Sequence, residues 1–558
     1  MRKCFAFSHR FCYTTCMMSL FKRLFLRSSA TGEAALFLGL FALLSQLLGL
    51  LRDRLLASSV GVGSELDIYY AAFKVPDLLY TTVATLAGVT VLLPYLQERF
   101  SGDDGTVKTR QFLSQVFSGL LIFLTGISIV LWICMPLLAR IIAPGFPPES
   151  IHTLVSVSRI MLIQPILIGI SNMFGSVSQL LRKFFTLSLA PVLYNVGIIV
   201  GIIVLYPRFG LYGLAYGVLL GAVLHVLTSI PVLVHGKLLP VFTVHIDMSM
   251  LRNIAMVSIP RTLGLSLNYV TMVVVTAAAT MMGSGTLSVI TMMYNIFTVP
   301  VNLIGVSLAT ASFSILVAKK TAGDTNGFIN EVQKTIQKIV FYGLPILALF
   351  IILRFEIITV LLGRRSFTPE QFILSGSLLV LFLFSFLFQS VSHVYIRSFY
   401  ALARTSLALR ITALAEGFTI LGLTALMYLY SAGIPAPLTT NIFSGSATYI
   451  VWIPIIFTLG NILKTYLFHK KFSELHVTAV IPASEPESRG ITSITYIQKP
   501  LIVFMGVVLL SLMTYFVLSM VTFPGITSTT LQAFLRGSIA GGAGIAGYGV
   551  WLWMNKSL

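Results

Sequence analysis

The charged residues best placed to do chemistry stand at the edges of, or inside, apolar stretches: Arg52, Asp53, Arg54, Asp67, Lys74 and Asp77 early in the chain, and Arg261 later. An ionisable group facing hydrocarbon is costly, so such residues favour a bundle interior or an aqueous vestibule. Asp53 lies between two arginines and can neutralise one of them. Asp77, directly after Pro76, can pair with Lys74 one turn earlier. A cationic cavity built this way suits a phosphate-bearing substrate, because arginine offers a planar multi-donor fork and lysine a mobile point charge. The competing account makes Arg52, Arg54 and Asp67 interfacial anchors of the first hairpin, and has Arg261, just beyond Pro260, snorkel rather than face a cavity. Glu416, embedded in a later apolar stretch, and Asp77 are the carboxylates open to coupling with a monovalent cation or a proton. His225 and His393 read as packing residues or helix-contact donors. No Walker motif, metal-ligand spacing or nucleophile elbow occurs, so no cofactor, metal or catalytic group is expected and the chain reads as a non-enzyme.

The elements that must position these groups are helices in a membrane. Of 558 residues, 56% are apolar and 10% charged, with 37 Lys and Arg against 18 Asp and Glu. A soluble chain of this length cannot hide so much apolar surface in cores of ordinary size. Distributed over stretches of about 20 residues, it describes an all-α polytopic membrane protein. The expected spans number about fourteen: Ala34–Leu51, Ile68–Gln97, 115–138, 157–181, 187–206, 211–234, 253–281, 286–317, 334–359, 371–400, 407–431, 444–468, 499–522 and 531–553. Basic residues gather in the N-terminal segment and in alternate loops, among them Arg99 and Lys108, Arg182 and Lys183, Lys319 and Lys320, and Lys470 and Lys471. That bias places both termini in the cytoplasm. The net charge of +19 then follows from cytoplasmic retention beside an anionic leaflet and calls for no nucleic acid. The expected organisation is a basic extension over 1–30, six-helix lobes over 31–235 and 236–470, a cytoplasmic loop over 471–497 and a two-helix segment over 498–558. Cys4, Cys12 and Cys16 lack zinc-type pairing, and Met17 or Met18 is an alternative start.

Two segments echo each other. Phe73-Lys74-Val75-Pro76 and Phe297-Thr298-Val299-Pro300 each occur in the second span of a six-span block, which favours a duplicated transporter core. Proline within a helix removes a backbone hydrogen bond and bends it; structural kink and moving gate both remain open here for Pro76 and Pro300. Gly541, Gly542, Gly544 and Gly547 give the last span a small-residue face suited to close helix packing or to bordering a lipid groove.

With these residues in place, the chain resembles the MurJ/MviN lipid II flippases, within the multidrug/oligosaccharidyl-lipid/polysaccharide exporter group, over about residues 20–555. The markers are Leu47-Leu48-Gly49-Leu50-Leu51-Arg52-Asp53, Asp67, Ala72-Phe73-Lys74-Val75-Pro76-Asp77, Ala143-Pro144-Gly145-Phe146, Ala190-Pro191 with Asn195, Pro260-Arg261, Gly363-Arg364 with Phe367-Thr368, and Phe399-Tyr400-Ala401. The resemblance implies two lobes rocking around a central cationic cavity, with the last two helices forming a lipid groove. The implied substrate is the lipid-linked cell-wall precursor, carried across the bacterial inner membrane, with membrane lipids and cell-wall synthesis or division proteins as further partners. Substrate contacts would fall to Arg52, Arg54, Lys74, Arg261, Tyr80 and Asn295. Asp53, Asp67, Pro76, Asp77, Pro165 and Pro300 would be structural or gating residues. The chain departs from the pattern at Gln46, Asp77, Tyr80, Thr85, Leu86, Tyr294, Asn295 and Thr298, several of which stand where the family usually carries charge. A divergent exporter of another polyprenyl-linked glycan and a non-transporting scaffold are therefore the alternatives.

Overall fold

Apolar stretches of this length leave the backbone only its own helix in which to satisfy its hydrogen bonds. Helix is accordingly the regular structure found in the computed structural model, which describes residues 31–86, 89–101, 104–435, 446–479, 493–522 and 528–554. Among those residues, nine helices are long and apolar enough to cross a membrane: Gly105–Ile142, Pro148–Leu180, Phe184–Phe209, Leu211–His235, Thr286–Thr321, Thr325–Ile352, Pro369–Ala401, Thr405–Ser431 and Thr448–Glu474. They correspond to the expected third to sixth and eighth to twelfth spans. Shorter apolar helices, Ser266–Met281 and Met505–Met520, fall in the seventh and thirteenth. The N-terminal extension with Cys4, Cys12 and Cys16, and residues 480–492 of the expected loop over 471–497, lie outside the described residues; on either side of that gap the expected loop is helix, 471–479 and 493–497.

The second expected span is not one helix. After α1 (Thr31–Ser59), the chain forms α2 (Ser64–Ala72), α3 (Lys74–Leu86) and α4 (Val89–Phe100). The break between α2 and α3 falls at Phe73, so Pro76 sits in the first turn of a new helix, where its missing N–H is no loss. Span four behaves likewise. It divides into α5's successors, with α5 (Gly105–Ile142) followed by α6 (Pro148–Met161) and α7 (Gln164–Leu180), and Pro165 opens α7. Pro300 takes a different solution: it closes a helix that passes into a π-helical turn over Val301–Val306. Pro76 therefore marks a joint between helical segments, whereas Pro300 lies where one long helix, Thr286–Thr321, passes through a π-helical turn.

The chain divides into two compact units. Unit 1 takes the chain up to Leu55, Ile68–Ile142 and Phe146–Tyr269. Its core gathers Leu79, Leu92, Leu96, Phe112, Leu113, Leu124 and Phe174, all buried. Ile129, Ile133, Leu137 and Ile141 of α5 are exposed, an apolar face of the kind hydrocarbon accommodates. Helices α8 (Phe184–Val200) and α9 (Leu211–Leu227) approach to backbone contact. A Cβ at Gly201 would collide with Gly217, and one at Gly197 with Gly221. Only glycine permits such an approach, and a π-helical turn over Gly201–Leu205 follows α8 there. Asn195 on α8 donates to Ser45 Oγ on α1 at 3.1 Å and to the Pro191 carbonyl at 3.1 Å, which accounts for its place beside Pro191 in the sequence.

Past α9, the connector leading to α10 (Met248–Met281) is laid along α5. Arg110 Nε donates to the Leu239 carbonyl at 3.0 Å, Val241 N to Ser114 Oγ at 3.1 Å and Thr243 N to Ser118 Oγ at 2.8 Å. The registers match physically: two residues of extended chain rise about 6.6 Å, and four residues of helix about 6 Å.

Unit 2 takes Leu56–Asp67, Ala143–Gly145 and Val270–Leu558. It contains the remainder of α10, then α11 (Thr286–Pro300), α12 (Ser307–Thr321), α13 (Thr325–Ile352), α14 (Arg354–Leu362), α15 (Pro369–Phe384), α16 (Phe386–Ala401), α17 (Thr405–Ser431), α18 (Ser446–Ala479), α19 (Ser493–Met520) and α20 (Thr529–Met554). Two sequence markers acquire physical reasons here. A side chain at Gly145 would strike the backbone of Thr280 and Met281. Thr368 and Gln371 form a reciprocal capping box at the start of α15. In the last helix pair, Gly544 packs on Thr514 and Leu510 and Gly547 on Met513 of α19, while Gly541 meets Leu353. Gly541, Gly544 and Gly547 thus serve close packing, while Gly542 has open space beside it.

The α8–α9 contact generates a test. Gly217→Ala is expected to lower the thermal midpoint of the purified protein by several degrees, because two backbones must part. Gly549→Ala, with open space around it, is expected to leave the midpoint unchanged in the same thermal-shift measurement.

Candidate functional site

Unit 1 gathers the early charged residues. Arg52 and Asp53 are sequence neighbours on α1, and the guanidinium folds back so that Nε and Nη2 both donate to Asp53 Oδ1, at 3.0 and 2.9 Å. Asp53 is buried, with 3% of its side chain exposed, while Arg52 retains 24%. The carboxylate is therefore enclosed by its partner, and part of the guanidinium stays accessible. Lys74 and Asp77 lie one turn apart at the start of α3, half-buried; their charges act on each other, and that of Asp77 also on Arg52. No contact ion pair links Lys74 and Asp77 among the described residues.

Around these four charges stand phenols. Tyr69 and Tyr70 of α2 lie within electrostatic reach of Arg52, as does Tyr194 of α8. Tyr80, one turn beyond Asp77, hydrogen-bonds Asn172 of α7, and Tyr269 of α10 reaches Thr81. Gln164 Nε2 donates to Tyr194 Oη at 3.1 Å. The cluster thus balances two cations against two carboxylates and offers neutral hydroxyls and amides besides. It can bind an anion through Arg52 and Lys74, and hydroxyl or amide groups through the tyrosines.

Of the residues expected to contact substrate, Arg52, Lys74 and Tyr80 are brought together. Arg54 is half-buried two residues along α1, a spacing that places it on the opposite side of the helix from Arg52. The side chain of Arg261 lies outside the described residues. Asn295 belongs to unit 2, where its carbonyl accepts from Thr298 Oγ1 at 2.8 Å. Its neighbour Tyr294 packs among Phe297, Phe382 and Phe457 at centroid distances of 5.7–5.8 Å. An aromatic cluster therefore fills a stretch where the resemblance leads one to expect charge.

Asp67 is a helix cap in unit 2. Its Oδ2 accepts from the Gly285 amide at 2.6 Å, and its Oδ1 accepts from the Ser288 amide at 2.7 Å and the Ser288 hydroxyl at 2.5 Å. These amides head α11, where unpaired N–H groups and the helix dipole favour a carboxylate. Gly285 can turn its amide towards Asp67 because its φ is +82°, a conformation natural to glycine.

The expected coupling carboxylate Glu416 is also paired. Lys464 of α18 approaches its Oε1 at 2.5 Å, and Thr271 of α10 donates to Oε2 at 2.7 Å. His393 lies within electrostatic reach of Lys464 and Arg397. His225 is a packing residue, with Nδ1 2.7 Å from Ser171 Oγ and its ring edge-on to Tyr194. The residues that sequence reasoning passed over are Tyr69, Tyr70, Gln164, Asn172, Tyr194, Tyr269 and Lys464. Lys464 did carry a signal, as a lone cation inside an apolar helix.

Two solved transporter structures share this fold. A solved structure titled "Lipid II flippase MurJ, inward closed conformation" matches with a TM-score of 0.70 at 18% identity, covering 93% of this chain and 99% of that one. An inward-facing multidrug resistance MATE family transporter of the MOP superfamily matches with a TM-score of 0.61 at 18% identity, over 78% of this chain and 96% of that one. The sequence narrows the class. The family model described as "Lipid II flippase MurJ" matches residues 56–436, and the chain belongs to that family. It is 26% identical over 359 residues to the probable lipid II flippase MurJ of Buchnera aphidicola, covering 63% of this chain and 70% of the relative. It is 23% identical over 448 residues to that of Aquifex aeolicus, covering 79% and 87%.

The Asp67 cap can be tested directly. Hydrogen bonds to a charged group contribute about 1.5–3 kcal/mol each. Asp67→Ala, which also strands two buried amides, is expected to destabilise the protein clearly more than Ser288→Ala, which removes a hydroxyl donor alone. Thermal unfolding of the two variants side by side measures the difference.

Proposed function

We propose that this chain flips lipid II, the undecaprenyl-diphosphate-linked disaccharide-pentapeptide, from the cytoplasmic to the periplasmic leaflet of the bacterial inner membrane. The observation that carries this reading is membership of the lipid II flippase family together with a retained Arg52, Asp53 and Lys74, gathered with Asp77 inside unit 1. In the proposed cycle, Arg52 and Lys74 hold the diphosphate by charge-assisted hydrogen bonds. Tyr80 and Asn172 meet neutral parts of the headgroup, and Asp53 keeps Arg52 oriented while moderating its charge. The joints at Phe73–Pro76 and at Pro300 let the helices re-aim as the cavity changes its open side.

The same reading has fourteen spans, lobes over 31–235 and 236–470, a lipid-guiding helix pair over 498–558 and both termini in the cytoplasm. Arg54, Arg261 and Asn295 serve as outlying headgroup contacts, and Pro165 serves as a hinge point. Asp77 keeps the ion-coupling role, since a proton or cation taken up beside Lys74 and Arg52 would change the charge balance of the cluster. Proteins of cell-wall synthesis or division are its proposed partners.

The test is complementation of a bacterium depleted of its own lipid II flippase, with lipid II exposure on the outer leaflet read in parallel. Wild type is expected to restore growth and exposure. Arg52→Ala and Lys74→Ala, expressed to the same level, are expected to lose at least ten-fold in exposure, about the effect of 1.4 kcal/mol in an equilibrium. Well-expressed wild-type protein that neither rescues nor binds purified lipid II would overturn the reading in favour of another lipid-linked substrate or a scaffold.

A further inference from the structure

Glu416, Lys464 and Thr271 form a site in unit 2 that is independent of the headgroup cluster. Glu416 and Lys464 are 3% and 8% exposed, and Thr271 is fully buried. The carboxylate comes from α17, the ammonium from α18 and the hydroxyl from α10. Both carboxylate oxygens are engaged, Oε1 by Lys464 Nζ and Oε2 by Thr271 Oγ1. A carboxylate at such a depth persists only if it is protonated, binds a cation or is given an internal cation. This chain takes the third course.

Polar side chains flank this pair along both helices, and His393 lies within electrostatic reach of Lys464. Thr412 and Thr419 stand four residues before and three after Glu416, on the same side of α17, and Asn461 stands three before Lys464 on α18; all three are buried. Oxygen donors around a buried carboxylate are what a hard cation requires. Its place is held by the lysine ammonium. A second positive charge beside the first would be strongly repelled away from bulk water, so ammonium and cation exclude each other.

We propose that Lys464 is a built-in cation: its ammonium occupies a monovalent-cation site formed by Glu416, Thr271 and the neighbouring threonine and asparagine oxygens, so that wild type binds no cation there. Removing the ammonium uncovers the site for sodium or potassium. Glu416 then holds α10, α17 and α18 together at all times, instead of responding to an ion gradient.

The test reads thermal melting of the purified full-length protein at constant ionic strength, with N-methylglucamine exchanged for sodium or potassium. It is independent of flippase activity, so it stands or falls apart from the proposed substrate. Wild type is expected to show the same midpoint in all three salts. Lys464→Ala and Lys464→Ser are expected to melt lower in N-methylglucamine and to regain several degrees, saturably, with sodium or potassium. Adding Glu416→Gln is expected to abolish the regain. A saturable sodium or potassium stabilisation of wild type that Glu416→Gln removes overturns the proposal. So do Lys464 variants that fold without a cation response, or that cannot be recovered folded in any of the three salts.

Discussion

Burial of charge is the constraint on which the rest of the structure depends. An isolated ion in an apolar interior costs several kcal/mol even after relaxation, and each buried carboxylate described above has a partner suited to its surroundings. Asp53 takes the adjacent guanidinium of Arg52. Asp67 takes the head of α11, where two amides and a hydroxyl converge on it. Glu416 takes an ammonium and a hydroxyl. The partners of Asp67 and Glu416 decide which helices may lie side by side, because moving either away strands a charge. The charged groups are therefore structural fasteners first, and whatever substrate chemistry they perform is built on that condition.

Between the fastened points the helices are segmented. Phe73, the start of α7 at Pro165 and the π-helical turns after Gly201 and Pro300 interrupt what would otherwise be continuous rods. Such interruptions in a membrane are sustainable only where protein or a wet cavity satisfies the loosened backbone. The break at Phe73 directly precedes Lys74, the first residue of α3, with Asp77 one turn on. Rigid contact lies elsewhere, in the glycine-lined approach of α8 to α9 and in the packing of α19 on α20.

How much was legible in the sequence followed the distance between partners. Arg52–Asp53 and Lys74–Asp77 could be read because adjacency or one helical turn brings them together. The polytopic helical class was legible from composition alone. The link from Asp67 to Ser288 crosses 221 residues, and that from Glu416 to Lys464 crosses 48; no local pattern announces either. The second span read as one helix because nothing local fixes where a long, partly polar stretch breaks, whereas the structure breaks it at Phe73, so that Pro76 falls in a first turn. Tyr194, Tyr269 and Asn172 escaped notice because a polar residue in a span gains meaning only once its neighbours are known.

The connector docked on α5 limits how the chain passes from α9 to α10. Leu239, Val241 and Thr243 are tied to Arg110, Ser114 and Ser118, and Asp247 already accepts from Met250 at the start of α10. Only residues 244–246 lie between the last tie and that cap. At about 3.3–3.6 Å per residue fully extended, this is a leash of roughly 10 Å. A link with so little slack transmits displacement instead of absorbing it, so the entrance to α10 must follow α5 wherever α5 goes.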